Sequence, residues 1–563
     1  KVALPTYPFL FQSYWLTKTV NSNSKLEVYL PTQRLKIPEI YQIQWQEYPG
    51  ELSAELITDN KIWLVFTGGH NLGEKLKVKL DQQQQDCLII SDRDLKPDKL
   101  TQIFNQYQNI GKIIYLAGLN QPTETIAEIT NYQQQHCTNV LNLLQTLTAN
   151  SVAAPIWLMT RGCQAVHSLD STTDSTVIAA SCLWGLASAI AIEHPESWGG
   201  IVDLDLKPSN NQVDNLLQII SQTSQEDRVV VRQNKLYVPR LQVTADLDSS
   251  KSLVLSTGSY LITGGLGSLG LKTAQLLADQ GAKNLILLGR SQPSEHAQQA
   301  IANLAQQGVT VDIVQVDITN YAALKNTVDL VAKHSIKGVI HAAGVIDDGL
   351  LQNQTWASFQ QVIAPKIAGA WNLHQATQDL ELDFFVLFSS VAALIGSPGQ
   401  SNYTVANAGL DAIARYRHSQ GLPALSINWG AWADSGMAVE QGFKVKGLNL
   451  IEPDAGLVAL KQLLASKATQ VGVIDADWQE LSQKFTYLQQ SNYFSQLVTP
   501  TDSLNKQIFQ ELLATPIAQR PGYLTQYLQT AIAEILQLEP AKLSVKDSLL
   551  ELGMDSLMVM EAI

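Results

Sequence analysis

The sequence predicts an α/β protein made of two doubly wound Rossmann-like subdomains, the first truncated and non-catalytic, followed by part of an α-helical domain. Three observations carry this reading. Short apolar runs alternate twice over with polar, helix-forming stretches, the pattern of a parallel sheet covered on both faces. A glycine-rich turn follows the first apolar run of the second set and is interrupted in the first set. The chain has 563 residues, 45% hydrophobic and 16% charged, which is too long for one core and too apolar for disorder.

In chain order, residues 1–36 open with Leu4-Pro5-Thr6-Tyr7-Pro8-Phe9 and Tyr14-Trp15 and read as a linker packed on something upstream. Residues 37–245 hold the first set, with expected strands at Ile62 to Phe66, Cys87 to Ile90, Lys112 to Leu116, Pro155 to Met159 and Gly200 to Leu204. After its first strand the chain reads Thr67-Gly68-Gly69-His70-Asn71-Leu72-Gly73. His70 stands where a dinucleotide loop needs its middle glycine, and a side chain there obstructs a pyrophosphate. Met159-Thr160-Arg161 is followed by no Tyr-x-x-x-Asn or Tyr-x-x-x-Lys pair. A silent relative of the second set is expected, the alternative being an unrelated α/β domain of similar period. Val177 to Ile192, apolar but containing Ser181 and Ser188, is short for a membrane span and reads as a buried helix.

Residues 246–490 hold the second set, with strands expected at Tyr260 to Thr263, Asn284 to Gly289, Val311 to Val316, Gly338 to His341, Phe384 to Phe388 and Ala424 to Asn428. The first runs into Gly264-Gly265-Leu266-Gly267-Ser268-Leu269-Gly270 and then a helical pattern closed by Gly281. Gly265, Gly267 and Gly270 allow the tight turn, and the helix start at Ser268 and Leu269 offers N–H groups to a pyrophosphate. Arg290, with Ser291 beside it, ends the second strand where NAD enzymes carry an acid. A guanidinium there pairs with the 2'-phosphate of NADPH, although a solvated surface arginine would look the same. Asp317 and Ile318 are placed to reach the adenine, Asp317 serving equally well as a helix cap. Ala342 and Gly344 let the chain pass beneath the cofactor. Residues 491–520 read as a polar connector and 521–563 as a small helical segment.

A formal net charge of -13 without any Lys/Arg run argues against nucleic acid as a partner. No leader-like segment opens the chain, so a cytoplasmic location and no membrane partner are expected. Cys87, Cys137, Cys163 and Cys182 are scattered, form no C-x-x-C pair, and read as buried thiols with no metal site.

Paired serines, Ser389 and Ser390, end the fifth strand, and Ser401-Asn402-Tyr403-Thr404-Val405-Ala406-Asn407 follows. Tyr403 and Asn407, four apart, share one helix face. Together with the glycine loop and Lys366 in Pro365-Lys366-Ile367-Ala368-Gly369, this constellation resembles the ketoreductase of modular type I polyketide synthases. Ordinary short-chain dehydrogenases carry the lysine four residues after the tyrosine; Asn407 and the earlier Lys366 match the exchanged arrangement.

The resemblance implies a short-chain dehydrogenase fold that reduces a β-ketoacyl thioester with NADPH. The roles fit the residue types: Tyr403 as proton donor, Lys366 to stabilise the phenolate, Ser390 to hold the carbonyl oxygen, and Asn407 to steady the helix and a relay water. Ile346-Asp347-Asp348, with Asp348 as main marker, together with Pro398 and Asn402, resembles the B class, which implies a 3R hydroxyl; an Asp pair capping a helix is the bland alternative. Ile395 stands where the A class has a tryptophan. Asn428-Trp429-Gly430-Ala431-Trp432 through Met437 resembles the substrate lid.

Leu552-Gly553-Met554-Asp555-Ser556-Leu557 resembles an acyl carrier protein signature, with 4'-phosphopantetheine on Ser556. The implied partners are an acyl chain on that carrier and the ketosynthase and acyltransferase of the same polypeptide, residues 1–36 resembling a post-acyltransferase linker. A docking module that does not reduce, and a free-standing dehydrogenase, are the alternatives.

Overall fold

The computed structural model describes residues 36–48, 60–91, 94–119, 125–166, 175–209, 211–221, 226–244, 253–331, 335–433, 445–499 and 512–536, with scattered positions after these. The described residues from Ile37 onward belong to one compact unit. The expected linker 1–36 lies outside the described residues apart from Lys36.

The strands are β1 (Glu39–Glu47), β2 (Ile62–Phe66), β3 (Cys87–Ile90), β4 (Ile110–Tyr115), β5 (Ile156–Arg161), β6 (Trp198–Leu204), β7 (Arg228–Arg232), β8 (Lys235–Val243), β9 (Ser259–Thr263), β10 (Asn284–Gly289), β11 (Thr310–Gln315), β12 (Ile336–His341), β13 (Phe384–Ser390), β14 (Leu425–Trp429) and β15 (Gln470–Ile474). Among the described residues they form one sheet, in the order β11-β10-β9-β12-β13-β14-β15-β1-β8-β7-β6-β5-β4-β2-β3. Each half is a parallel, doubly wound set. Among the described residues the first half has no counterpart of β11 beyond its edge strand β3, which is the truncation. Antiparallel β1 and β8 join the halves, β1 pairing with β8 on one side and β15 on the other.

Apolar composition explains the central strands. Every residue of β5 and β9 is buried, as parallel strands covered on both faces require. β7 and β8 meet at Gln233 and Asn234, both with positive φ, the backbone of a two-residue hairpin.

The helix Thr176–Glu193 meets the length and composition of a membrane span, yet it is buried along its length inside the protein. It packs on the helix Ser401–Ser419, and each fully buried Ile, Leu or Val on it contributes about 1.5–3 kcal/mol. Gly185 makes the crossing possible: a Cβ there would stand 2.6 Å from the Val405 Cα.

One boundary differs from expectation. The stretch beginning at Ser491, expected to be connector, packs into the first half. Ser491 Oγ donates to Asp227 Oδ1 at 2.7 Å, Asn492 Nδ2 donates to Glu226 Oε1 at 2.9 Å, and Tyr493 and Phe494 are buried. Its polar residues are satisfied by the buried Glu226 and half-buried Asp227 carboxylates, so composition alone misreads it.

Candidate active site

The glycine turn begins the site. Gly264 sits at φ +64°, a left-handed conformation open to glycine, and a Cβ on Gly270 would be 2.3 Å from the Gly264 oxygen. Gly267 caps the helix Ser268–Asp279. Sequence reasoning missed Gly264, although its place directly after the strand is the available signal. Gly265 faces the sheet, where a Cβ would come 2.8 Å from the Ile262 oxygen; it serves helix–strand packing.

A cleft of about 570 Å³ opens over this turn, lined by Gly267, Ser268, Leu269, Gly270, Arg290, Asp317, Ile318, Ala342 and Gly344. Gly265 and Ser291, both expected at the cofactor, do not line it. Arg290 is exposed at the cleft and Ile318 is buried beneath it. Asp317 accepts from the N–H and hydroxyl of Thr319, at 2.9 and 2.8 Å, so its carboxylate caps the following turn.

The corresponding loop of the first half is closed. The His70 Nδ1 accepts the Leu72 N–H at 3.2 Å, so an imidazole occupies the helix start that an anion would need. Burial, with Arg161 nearby, holds that imidazole below its ordinary pKa.

A second cavity, about 160 Å³, shares Leu269, Ala342 and Gly344 with the cleft and is walled by Lys366, Ser390 and Tyr403. These three come from different elements: Ser390 from the end of β13, Tyr403 from the first turn of Ser401–Ser419, and Lys366 from a π-helical turn, Ala364–Ala368, whose second residue is Pro365. Such turns interrupt helices at functional positions. The Lys366 Nζ donates to the Phe388 carbonyl at 3.0 Å and lies 5.2 Å from the centre of the Tyr403 ring. A Cβ on Gly344 would come 3.0 Å from the Lys366 Cε, so any side chain there presses on the lysine. Burial pushes the Lys366 ammonium down to about 7, against the pull of Asp411.

Burial raises the Tyr403 phenol above its usual value, while the Asn407 and Ser390 side chains beside its hydroxyl pull it back. The Asn407 Nδ2 donates to the Tyr403 carbonyl at 2.8 Å, and its buried Oδ1 has no protein partner. All four expected catalytic residues thus converge.

A supporting layer lies beyond what the sequence reading found. Asp411, one further turn along the helix face of Tyr403 and Asn407, is buried and accepts from Ser426 Oγ at 2.5 Å and Asn428 Nδ2 at 2.9 Å. Asn428 also donates to Ser389 Oγ at 2.9 Å and to the Ser390 carbonyl at 3.1 Å, fixing the strand end that carries Ser390. His341 Nε2 lies 3.2 Å from the Lys366 carbonyl and its Nδ1 2.7 Å from Thr263 Oγ1; burial drives its pKa down to about 3, so it braces the turn as a neutral ring.

Of the expected stereocontrol residues, Pro398 lines the cavity together with Ile395 and Ile346. Asp348 is exposed and reaches the cavity wall through Gln400, whose Nε2 bonds both carboxylate oxygens at 3.2 and 3.1 Å. Asn402 is buried behind the wall, donating to the Asp347 carbonyl at 2.6 Å. The described part of the expected lid is anchored, Ala433 N–H donating to Ile451 O at 2.8 Å, while the rest through Met437 lies outside the described residues. Ser556 and its hexapeptide also lie outside them.

Similarity to known proteins points the same way as this geometry. Residues 258–434 match the KR domain, 98–241 the Rossmann fold domain of the polyketide synthase extender module SpnB, and 526–563 the phosphopantetheine attachment site. Polyketide synthase GfsA of Streptomyces halstedii is 33% identical over 446 residues, 75% of this chain. A phenolphthiocerol/phthiocerol polyketide synthase of Mycobacterium tuberculosis is 37% identical over 317 residues, 55% of this chain. The chain spans only 6% and 14% of those two proteins. Among solved structures, an A1-type ketoreductase matches with a TM-score of 0.72 and 29% identity, over 82% of this chain and 98% of that one. The first ketoreductase of the tylosin polyketide synthase matches at 0.70 and 28%, over 82% and 97%. The chain belongs to the ketoreductase family of modular polyketide synthases, as a KR domain with its Rossmann-fold partner ahead of it and a phosphopantetheine attachment domain behind.

Proposed function

We propose that this chain reduces a β-ketoacyl thioester carried on a phosphopantetheine arm to the β-hydroxyacyl thioester, with NADPH as reductant and Tyr403 as proton donor. The observation that carries the reading is the shared wall at Ala342 and Gly344, which sets the cavity holding Ser390, Tyr403 and Lys366 directly against the nucleotide cleft. The cleft fits the cofactor: side chains are excluded at Gly264 and Gly270, a helix N-terminus faces the opening, and Arg290 stands at its rim. Bound NADPH supplies the hydride.

The rest is done by the chain. Tyr403, a neutral phenol whose pKa burial raises further above its usual value, gives its proton to the substrate oxygen. Ser390 donates to the same oxygen as it becomes negative. The positive Lys366 lowers the cost of the phenolate that remains. The arm is attached at Ser556, and the upstream ketosynthase and acyltransferase supply the acyl chain.

Asp348, Pro398 and Asn402, with Ile395 in the cavity wall, support B-type reduction and a 3R hydroxyl. The solved relatives include A-type and C2-type ketoreductases, so likeness of fold is shared across types. The test is incubation of the chain with a β-ketoacyl thioester and NADPH, followed by chiral analysis. A 3R alcohol is expected. A 3S product would remove the stereochemical assignment, and no NADPH oxidation would remove the reductase reading.

Two further outcomes are expected. Arg290→Ala loses a charge-assisted contact of about 1.5–3 kcal/mol, so kcat/KM with NADPH falls about 10–100-fold while that with NADH is nearly unchanged. Equal losses with both cofactors would show that Arg290 does not read the 2'-phosphate. The second concerns pH. Lys366 is charged below about 7 and neutral above it. Reduction therefore slows as pH rises through that value, by about tenfold per unit in kcat/KM, and Lys366→Met gives a slower, flat profile. A wild-type rate that stays level from about pH 6 to 9 would count against the role given to the ammonium.

A further inference from the structure

Glu193 ends the buried helix Thr176–Glu193, in the half of the molecule that has no catalytic residues. Its carboxylate accepts the Leu351 N–H at 2.9 Å and the Gly399 N–H at 3.0 Å. These two groups belong to separate excursions of the catalytic half. Leu351 follows Asp347 and Asp348 after β12, and Gly399 lies between Pro398 and Gln400, shortly before Tyr403.

The two excursions are also tied to each other. Gly349 N–H donates to Gly399 O at 2.8 Å, and Gln400 holds Asp348. Gln145, on the helix Ile126–Ala149 of the silent half, donates to the carbonyls of Leu351 and Gln354 at 2.9 and 3.0 Å. Both backbone groups of Leu351 are therefore held by the silent half. The second excursion is pressed against that half as well: a Cβ on Gly396, at φ +85°, would be 2.4 Å from the Ser188 carbonyl oxygen.

The chemistry singles out a glutamate. Two backbone N–H donors converge on one buried side chain, and an acceptor-only group satisfies both. A glutamine would turn an NH2 toward one of them, leaving a donor facing a donor. Burial pushes the carboxyl up to about 7, against the pull of the two N–H groups. A carboxyl buried at that cost is doing positional service, because a buried apolar residue would fill the space without it.

We propose that Glu193 is a positioning residue for stereocontrol: by clamping Leu351 and Gly399 it fixes the two excursions that carry Asp348, Pro398 and Gln400, and so the face of the ketone presented for reduction. This rests on the reductase reading above.

The experiment compares the full chain with Glu193→Gln and Gln145→Leu, using a β-ketoacyl thioester and NADPH. Configurational purity of the alcohol, kcat, KM, NADPH affinity by fluorescence and Tm are measured. In Glu193→Gln, NADPH affinity stays within about twofold, kcat/KM falls about 10–100-fold, and the minor isomer rises to a tenth of the product or more, on the order of what a 1 Å misplacement costs. Gln145→Leu raises the minor isomer less. A purely structural role would lower Tm and the active fraction while leaving the product of the folded enzyme pure.

Unchanged purity in a folded Glu193→Gln overturns the proposal. Should that variant not fold, Gln145→Leu decides, and unchanged purity there overturns it equally. Wild-type protein that oxidises no NADPH removes the reductase reading and this inference with it. Wild-type activity giving one isomer, with both variants equally selective, removes this inference alone.

Discussion

Tyr403→Phe is expected to lower kcat for thioester reduction by about 10²–10⁴-fold while NADPH affinity and Tm stay where they were. The substitution keeps the ring and removes only the oxygen. The ring's packing beside Lys366 survives, since the ammonium lies over its centre at 5.2 Å. What disappears is the group flanked by Ser390 and Asn407. The carbonyl oxygen then takes its proton from water, and Ser390 alone faces the developing charge. Stopped-flow measurement of NADPH oxidation in single turnover separates this from product release. A variant within about tenfold of the wild-type rate would mean that the proton comes from elsewhere.

Gly185→Leu is expected to destabilise the protein by about 3 kcal/mol or more, and to slow reduction in whatever fraction folds. Helix propensity alone points the other way, favouring leucine over glycine by roughly 0.8 kcal/mol. Packing decides the sign. The new Cβ would stand 2.6 Å from the Val405 Cα, 2.9 Å from the Val405 nitrogen and 3.0 Å from the Thr404 oxygen. All three are backbone atoms, so no rotamer change relieves the clash and the helices must separate. The helix displaced is the one bearing Tyr403, just before these two residues, which couples the stability loss to activity. Urea denaturation reads the first effect, and kcat per folded molecule reads the second. An unchanged midpoint would show that the crossing is looser than these distances imply.

The catalytic half is readable because its residues announce themselves locally. Strand, glycine turn and helix follow one another from Tyr260 to Gln280, and Tyr403 and Asn407 share a helix face by their spacing. The silent loop is readable for the same reason, from His70 among glycines. What escapes depends on partners distant in the chain. β1 alternates polar and apolar residues but finds its partner β15 near the far end of the described fold, and nothing in either segment names the other. Glu193 leaves no spacing signature, because its partners are backbone N–H groups brought to it by the fold; Asp411 continues the four-residue spacing of Tyr403 and Asn407, but its partners Ser426 and Asn428 are supplied by the fold. Asp317 shows the reverse limit: its position suits both an adenine contact and a turn cap, and its hydrogen bonds go to the cap.

The place of β1 between β8 and β15 bears on synthesis. As the chain leaves the ribosome, β1 gains β8 once Val243 has emerged, but its other edge has no partner until β15 appears at Gln470. At translation rates of about 5–20 residues per second, that edge is uncovered for on the order of 10–50 s. An unpaired strand carrying Ile40, Tyr41, Ile43 and Trp45 invites pairing with a neighbouring nascent chain. The interleaved Gln42, Gln44, Gln46 and Glu47 oppose this, placing polar side chains along the edge during the interval before the two halves are sealed together.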